Sequence, residues 1–501
     1  MIPHTINEFP FFSFLFADLH PHMIAIPCTL LVLALLWGWV AAPQGGWRGL
    51  GRGVLLALAL GALGPLNAWD VPAYAALAAG VLLVTRGRPL ARVGRVLGVG
   101  LGAALLYAPF YAHYRPPDLG VGLVGAGGRS SLGPWFTVWG THLFLAASFL
   151  AASLADAWPI ARRLARLAGR RGVAGTWRRL RAFHRGGPWA ALAAPGALAL
   201  GLVGGLVLLV RGEALLGLLA ALLGAALAAL AGARSPGARF RAALLAMGLG
   251  ILLGIEVVYL RDFLDGTEWR RMNTLFKFTI QAWVLLSVAL GAALPGLWAR
   301  WAGRGAGGAL WGAATTVTVA AALAYVVWAV PQRVEERFPG ARPPRGTLDG
   351  TAFMAVGTYH WPDPSQPIVL SYDREALAWL WANVPGTPVL AEAEVGYYRE
   401  FGLRVASFTG LPAIVGMHEN EQRPPEEVAA RQRDAARLFT TADLAEWRAI
   451  VARYGVRYIY VGPLERILYP AEGLDKFESL AAAGGLERVY ANERVTIYRV
   501  P

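Results

Sequence analysis

Four short stretches gather the residues able to do chemistry. The run Asn7–His22 holds two acids, Glu8 and Asp18, and two histidines, His20 and His22, around aromatic residues at 9–16. An acid beside a histidine pair can hold a divalent cation or act as a general base. Asp18, His20 and His22 alternate, so an extended backbone would set all three on one face. Pro21 disfavours helix at His20. The plainer alternative is a helix capped by Asp18, with the histidines at the membrane interface. The second stretch is Asn67-Ala68-Trp69-Asp70-Val71-Pro72. Asn67 and Asp70 bracket a break between two apolar arms, and free backbone groups at such a break are tolerated where they line a cavity. Alternatively Asp70 caps the following helix. The third stretch, 261–277, sets Asp262, Asp265 and Glu268 against Arg261, Arg270, Arg271 and Lys277. Arginine fits phosphate bidentately and a helix N-terminus favours anions, so Arg270, Arg271 and Lys277 are candidates for a lipid phosphate. Internal salt bridges are the competing reading. The fourth, 410–423, is a polar loop with His418, Glu419, Glu421 and Arg423, either part of a binding surface or simply solvated. Tyr397 and Tyr398, beside Glu392 and Glu394, could stack on a sugar or fill a core.

The elements that carry these stretches follow from composition. The 501 residues are 56% hydrophobic and only 16% charged, with a mean hydropathy of +0.45. An ordinary soluble chain carries about 25% charged residues, so that class is excluded. The single cysteine, Cys28, excludes an intrachain disulfide and a Cys-based zinc site. The net charge of +14 divides unevenly. Residues 1–330 hold 27 Lys/Arg and 10 Asp/Glu, and residues 331–501 hold 19 and 22. A basic excess confined to the apolar part follows membrane topology and not nucleic acid.

Apolar runs of the roughly 20 residues a span requires lie near 23–41, 96–114, 134–156, 189–210, 213–232, 240–260, 276–298 and 308–330. Residues 53–66 and 71–84 form two arms, each short for a span. Either the bilayer thins there or the pair is a re-entrant hairpin. Eight to ten spans are expected. Twenty arginines fall in or beside the loops 42–52, 85–95, 157–188, 233–239 and 299–307, and six in the alternating segments 1–22, 67–70, 115–133, 211–213 and 261–275. The positive-inside rule makes the first set cytoplasmic. Eight of the ten acids then face outward with the tail. The start has no secretory signal pattern, so an outward N-terminus implies either a start inside a loop of a longer protein or a short translocated tail without positive charge.

From residue 331 the composition becomes globular. Residues 331–371 read as a linker and 372–501 as an extracytoplasmic α/β domain. Helices are expected at 373–384, 425–438, 442–454 (N-cap Thr441) and 474–483. Strands are expected at 388–394, 403–408, 456–462 and 494–500. The whole is a polytopic helical membrane protein: outer loop 1–22, bundle 23–330, linker and outer domain.

The segments INEFPFFSFLFADLHPH, NAWDVP, RRMNTLFKF, GLPAIVG…HENE and YGVRYIYVGPLER resemble the YYY membrane protein family of chloroflexi and archaea, an uncharacterised family. That family is in turn similar to the GT-C superfamily of membrane glycosyltransferases. The resemblance implies a multi-pass plasma-membrane bundle, GT-C-like, with an outward active site and a polyprenyl-phosphate-linked sugar as donor. It also implies an acid in the first outer loop as base or metal ligand. That acid would be Asp18, with Glu8 second, and His20 and His22 would neighbour a metal, a divalent cation such as Mg or Mn, or the phosphate. It implies, too, a helix before the first outer loop, so that the start is truncated or a first helix comes from another chain. A lipid or ion transporter, prompted by the broken helix at NAWDVP, and a non-catalytic envelope assembly protein are the other function classes.

Overall fold

The computed structural model describes residues 2–7, 9–16, 20–42, 46–85, 87–114, 120–155, 187–395, 402–416 and 424–501. Glu8, Asp18, Tyr397, Tyr398, His418 and Glu419 lie outside the described residues. The chain divides into two compact units, with the boundary between Val327 and Trp328.

The first unit is helical. A seven-residue aromatic segment, α1 (Pro10–Phe16), precedes α2 (Pro21–Ala41), α3 (Gly46–Asn67), α4 (Asp70–Val84) and α5 (Pro89–Leu106). Then come α6 (Leu132–Ala155), α7 (Gly187–Val210), α8 (Ala214–Gly232), α9 (Pro236–Gly254), α10 (Met272–Trp301) and α11 (Gly305–Arg337). Among the described residues nine helices, all of these except α1 and α4, are long and apolar enough to cross a membrane. Helices are the natural solution there, because backbone groups in hydrocarbon have no water to bond.

Three expectations about the spans are corrected. The first arm of the NAWDVP pair is no short arm: α3 has 22 residues, because its helix begins in the Gly/Arg-rich stretch from residue 46, which looked like loop. The span expected at 96–114 starts earlier, at Pro89, and stops at Leu106. The one expected at 240–260 ends at Gly254, and Val258–Arg261 becomes strand β2, paired antiparallel with β1 (Gly120–Leu123).

Contacts at the helix ends agree with the arginine map. At the basic end, Arg95 sits over the Trp39 ring at 5.4 Å, Trp37 meets Phe240 at 5.6 Å, and Arg52 donates to the Gly38 and Ala42 carbonyls. Thus the ends of α2 and α4 and the starts of α3, α5 and α9 meet. At the acid-bearing end, β1 pairs with β2, Arg129 pairs with Glu213, and His4 meets Trp269. Since Thr85, just past α4, binds Arg95 at the basic end, α4 runs from one end of the unit to the other. Its 15 residues rise about 22 Å. Asn67 and Asp70 flank a two-residue turn between the two helices.

Small residues set a close helix contact. A Cβ on Gly224 of α8 would fall 2.5 Å from the Gly201 Cα of α7. Backbones approach this closely in membranes only where side chains are minimal.

The second unit is α/β. Its four-stranded sheet has the order β5-β6-β8-β7, from β5 (Val389–Ala391), β6 (Val456–Val461), β7 (Glu487–Ala491) and β8 (Thr496–Arg499). β5 and β6 are parallel and the remaining pairs antiparallel. Central β6 is buried on both faces: Val456, Ile459 and Val461 join one core, and Tyr458 and Tyr460 the other. This two-sided burial explains its unbroken apolar run. A small β3–β4 pair (Thr358–Tyr359, Ile368–Val369) lies before α12 (Leu370–Asn383). Met354 and Ile368 are buried in the second core, so part of the expected 331–371 linker is folded structure, and α11 runs on to Arg337.

Two local expectations fail in this unit. Residues 404–409 form helix α13, not a strand, because buried Glu392 accepts from the Val405 and Ala406 amides and holds its first turn. The N-cap of α15 (Leu444–Tyr454) is Asp443, whose side chain accepts from the Ala445 amide. Thr441 instead bonds Asp443 and Glu446. Helices α14 (Pro425–Thr440) and α17 (Ala471–Ala482) match their expected positions, while α16 (Pro463–Leu468) and β7 have no counterpart in the sequence reading.

Arg404, fully buried, bonds Asp373 at 2.7 Å and Glu465 at 2.8 Å, with Glu392 at 3.9 Å. One guanidinium thus faces three buried carboxylates. Burial pushes the Glu392 carboxyl up to about 7, against the pull of Arg404 and the two amides.

Two predictions follow from packing and charge. Gly224→Val should lower the apparent Tm of the solubilised protein, equivalent to about 1–3 kcal/mol. Leu206→Ala, at a 61% exposed position of α7, should leave it unchanged. A folded glutamate raised to about 7 binds its proton more tightly than the unfolded one near 4.5. Its contribution to stability therefore declines as pH rises through that window. Hydrogen exchange of β5 and β6, corrected for intrinsic pH effects, should show weaker protection at pH 8 than at pH 5. Glu392→Gln should remove that component.

Candidate functional site

The acid-bearing end of the helical unit holds two polar assemblies. The first is a knot where the start of α2, the α3–α4 turn and the first turns of α10 meet. His20 is extended (φ −64°, ψ 143°) and precedes Pro21, as expected, but His22 is already in α2. The expectation of an extended backbone through both histidines is therefore corrected: Pro21 is well suited to the first helical turn and starts the helix there. The rings still meet, with centroids 5.1 Å apart, and Phe276 of α10 presents its edge to each, at 5.3 and 4.7 Å.

Asp70 is 3% exposed and stands in the first turn of α4. It does not cap that helix, since the N-cap position is Trp69 and no side chain caps the end. Instead its neighbours are the side chains of Asn67, His22 and Gln281. Gln281 donates from Nε2 to the Trp69 carbonyl at 2.7 Å. Lys277 lies over the Trp69 indole at 4.8 Å, so its ammonium is turned toward the α3–α4 corner. Asn67 and Gln281 both reach the Asp70 carboxylate with their side-chain amides, while among the described residues the buried Gln281 Oε1 has no hydrogen-bond partner. Such a group costs about 1–3 kcal/mol when left so. A knot with an acid, a nearby ammonium and an idle amide oxygen is suited to a polar ligand.

The second assembly is a brace. Glu256, just past α9 and fully buried, bonds Arg271 at 2.8 Å and accepts from the Ser130 amide at 2.9 Å and its hydroxyl at 2.7 Å. Arg271 also donates to the Gly128 carbonyl at 2.5 Å and the Ile255 carbonyl at 2.8 Å. With both terminal nitrogens of its guanidinium bonded, Arg271 ties three loops together. Several acids of the third stretch are used likewise. Asp265 accepts from Tyr259 and faces Arg261 at 3.7 Å, Asp262 accepts from Asn273, and Glu268 lies 3.6 Å from His4. Arg270 is half-buried beside Gly128 and makes a long bond to the Thr267 carbonyl, 3.4 Å.

The structure therefore joins the first two stretches with Lys277 and separates them from Arg271. Sequence reasoning missed Gln281 and Glu256. A lone glutamine inside an apolar span and a glutamate just before an outer loop were the available signals. Among the described residues, no group of three His, Cys, Asp or Glu is placed to hold a metal ion. His20 and His22 alone do not complete the expected cation site, whose third member is Asp18.

Fold and site together define a multi-pass helical membrane protein with a buried polar knot at one end of its bundle. The chain belongs to the family described as Uncharacterized membrane protein (DUF2298), whose model matches residues 1–286. The matched stretch takes in both the knot and the brace, ending a few residues past Gln281. No curated protein matches the chain.

Removing Arg271 would strand Glu256 as an uncompensated buried charge. Arg271→Ala should destabilise the solubilised protein by about 3–5 kcal/mol. Arg270→Ala, one residue away, should change its Tm little. Thermal unfolding of the two variants side by side checks this.

Proposed function

We propose that the chain is a membrane glycosyltransferase, GT-C-like, that transfers a sugar from a polyprenyl-phosphate-linked donor at the extracytoplasmic face of the plasma membrane. The observation that carries this reading is the knot: buried Asp70 and His22 gathered with Lys277 at the acid-bearing end. The resemblance of the NAWDVP and RRMNTLFKF segments to a glycosyltransferase-related family supplies the chemistry. The orientation rests on the arginine distribution. With α4 counted as a crossing, the ten helices α2–α11 return the chain to the side on which it began, which sets the α/β unit outside as well.

In this reading the donor phosphate binds near Lys277, with Arg270 as a second cation. An acceptor hydroxyl gives its proton to a carboxylate, Asp70 or Asp18, and its oxygen forms a bond to the anomeric carbon. The bond from that carbon to the phosphate oxygen breaks, and polyprenyl phosphate leaves with its charge met by Lys277. Glu8 is a second candidate base. Asn67 positions the sugar, and the tail loop with His418 and Glu419 adds acceptor contacts. A Mg or Mn ion on Asp18, His20 and His22 belongs to the same reading as an unassigned partner, and no step is routed through it.

The test is sugar transfer from labelled polyprenyl-phosphate donors by the full chain in proteoliposomes. Asp70→Asn or Asp18→Asn should lower kcat by about 10²–10⁴-fold, and Lys277→Gln should chiefly raise KM for donor. Mg or Mn add-back after chelation reads the cation separately. Transfer that survives both acid substitutions would overturn the assignment of the base. Donor movement across the membrane without a glycosidic product would overturn the reaction itself.

A further inference from the structure

A second cavity at the acid-bearing end stands apart from the knot. It measures about 240 Å³ and is bounded by the loop 126–132, the turn into α8 and Glu256. Neither Asp70 nor Lys277 lines it. Its polar groups are the side chains of Arg129, Glu213 and Glu256, the Ser130 and Ser131 hydroxyls, and the first turn of α8 at Ala214–Leu216. Arg129 is paired with Glu213, and Glu256 with Arg271. The walls are thus close to neutral, and an ion of either sign gains little by entering. What they offer is hydrogen bonding of both kinds. The carboxylates accept, and the guanidinium and the first-turn amides donate. Arg129 Nε is buried and has no partner among the described residues. Glu256 is held rigid by three bonds, so part of the lining is pre-organised.

A hydroxyl group is the chemistry that uses both kinds of wall, since it donates one bond and accepts others. We propose that this cavity binds an uncharged, hydroxyl-rich group the size of one sugar ring. The inference stands independently of the transfer reading, because a sugar-binding protein without enzymatic activity would have the same use for it.

The experiment is saturation-transfer NMR on the full chain in lipid nanodiscs free of glycoside detergents. The probes are the methyl α-glycosides of glucose, mannose and galactose, with inorganic phosphate and Mg as ionic competitors. At least one glycoside should bind in the millimolar range, with no displacement by either ion. Ser131→Trp, which fills the mouth without touching the two ion pairs, should weaken it at least tenfold at unchanged Tm. Glu213→Gln should weaken it as well, while Asp70→Asn should leave it intact. Absence of binding by all three glycosides would overturn the proposal. So would equal binding by Ser131→Trp, displacement by phosphate, or loss in Asp70→Asn, which would assign the sugar to the knot. None of these outcomes alters the transfer assay, so the two readings fail separately.

Discussion

The cost of placing charge at bilayer depth governs the helical unit. A charged side chain at the centre of a span costs about 3 kcal/mol on insertion scales, so ionisable residues collect at helix ends. Basic ends sort to one side and hold the bundle by local contacts: Arg52 on the end of α2, Arg95 on Trp39 and Thr85. The opposite end has few arginines, and two of them are used in specific bonds. Arg271 and Arg129 join the loops before α6, before α8 and before α10 through Glu256 and Glu213. This bracing lets β1 and β2 pair across segments separated by 130 or more residues, and it fixes the start of α10, on which Phe276, Lys277 and Gln281 depend.

The second unit solves a related problem with the opposite geometry. Its charge is buried at the centre. Arg404 holds Asp373 and Glu465, Tyr460 donates to Asp373 at 2.7 Å, and Glu465 also accepts from the Ala393 and Gly462 amides. These bonds join α12, β5, α13, β6 and α16. A buried pair is seldom a net stabiliser against an apolar substitute. Its effect here is to define which elements meet, because any other arrangement would leave carboxylates unpaired in the core.

Much of this was legible in the residues. Arginine spacing located the two ends, since positive charge sorts across a membrane even where helix limits are blurred. The β-branched and aromatic run at 456–461 announced a central strand. What was not legible depended on distant partners. Residues 403–408 have strand-like content, yet Glu392, more than ten residues earlier, satisfies the amides that start a helix there. The start of α3 was hidden because Gly46–Gly53 is rich in turn residues, and packing against α2 and α5 overrides their weak propensity. The roles of Arg270 and Arg271 could not be separated by type or spacing. Only Glu256, fifteen residues before Arg271, distinguishes the structural arginine from its neighbour.

That distinction bears on how a functional site is told from a scaffold in this protein. Both polar assemblies at the acid-bearing end are buried, and both break the apolar pattern of the spans. In the brace, the Glu256 carboxylate has its charge matched and both oxygens bonded, which is what a structural role requires. In the knot, Asp70 is neither a cap nor half of a direct ion pair among the described residues, while Gln281 keeps a polar atom without a partner there. Folding alone gives no reason to keep such a group at a helix corner, since alanine there would remove the desolvation cost. Its retention in a buried, aromatic-walled corner is accounted for by a ligand that completes the bonding. The polar inventory therefore sets the knot apart from the brace, whose charges are matched within the fold.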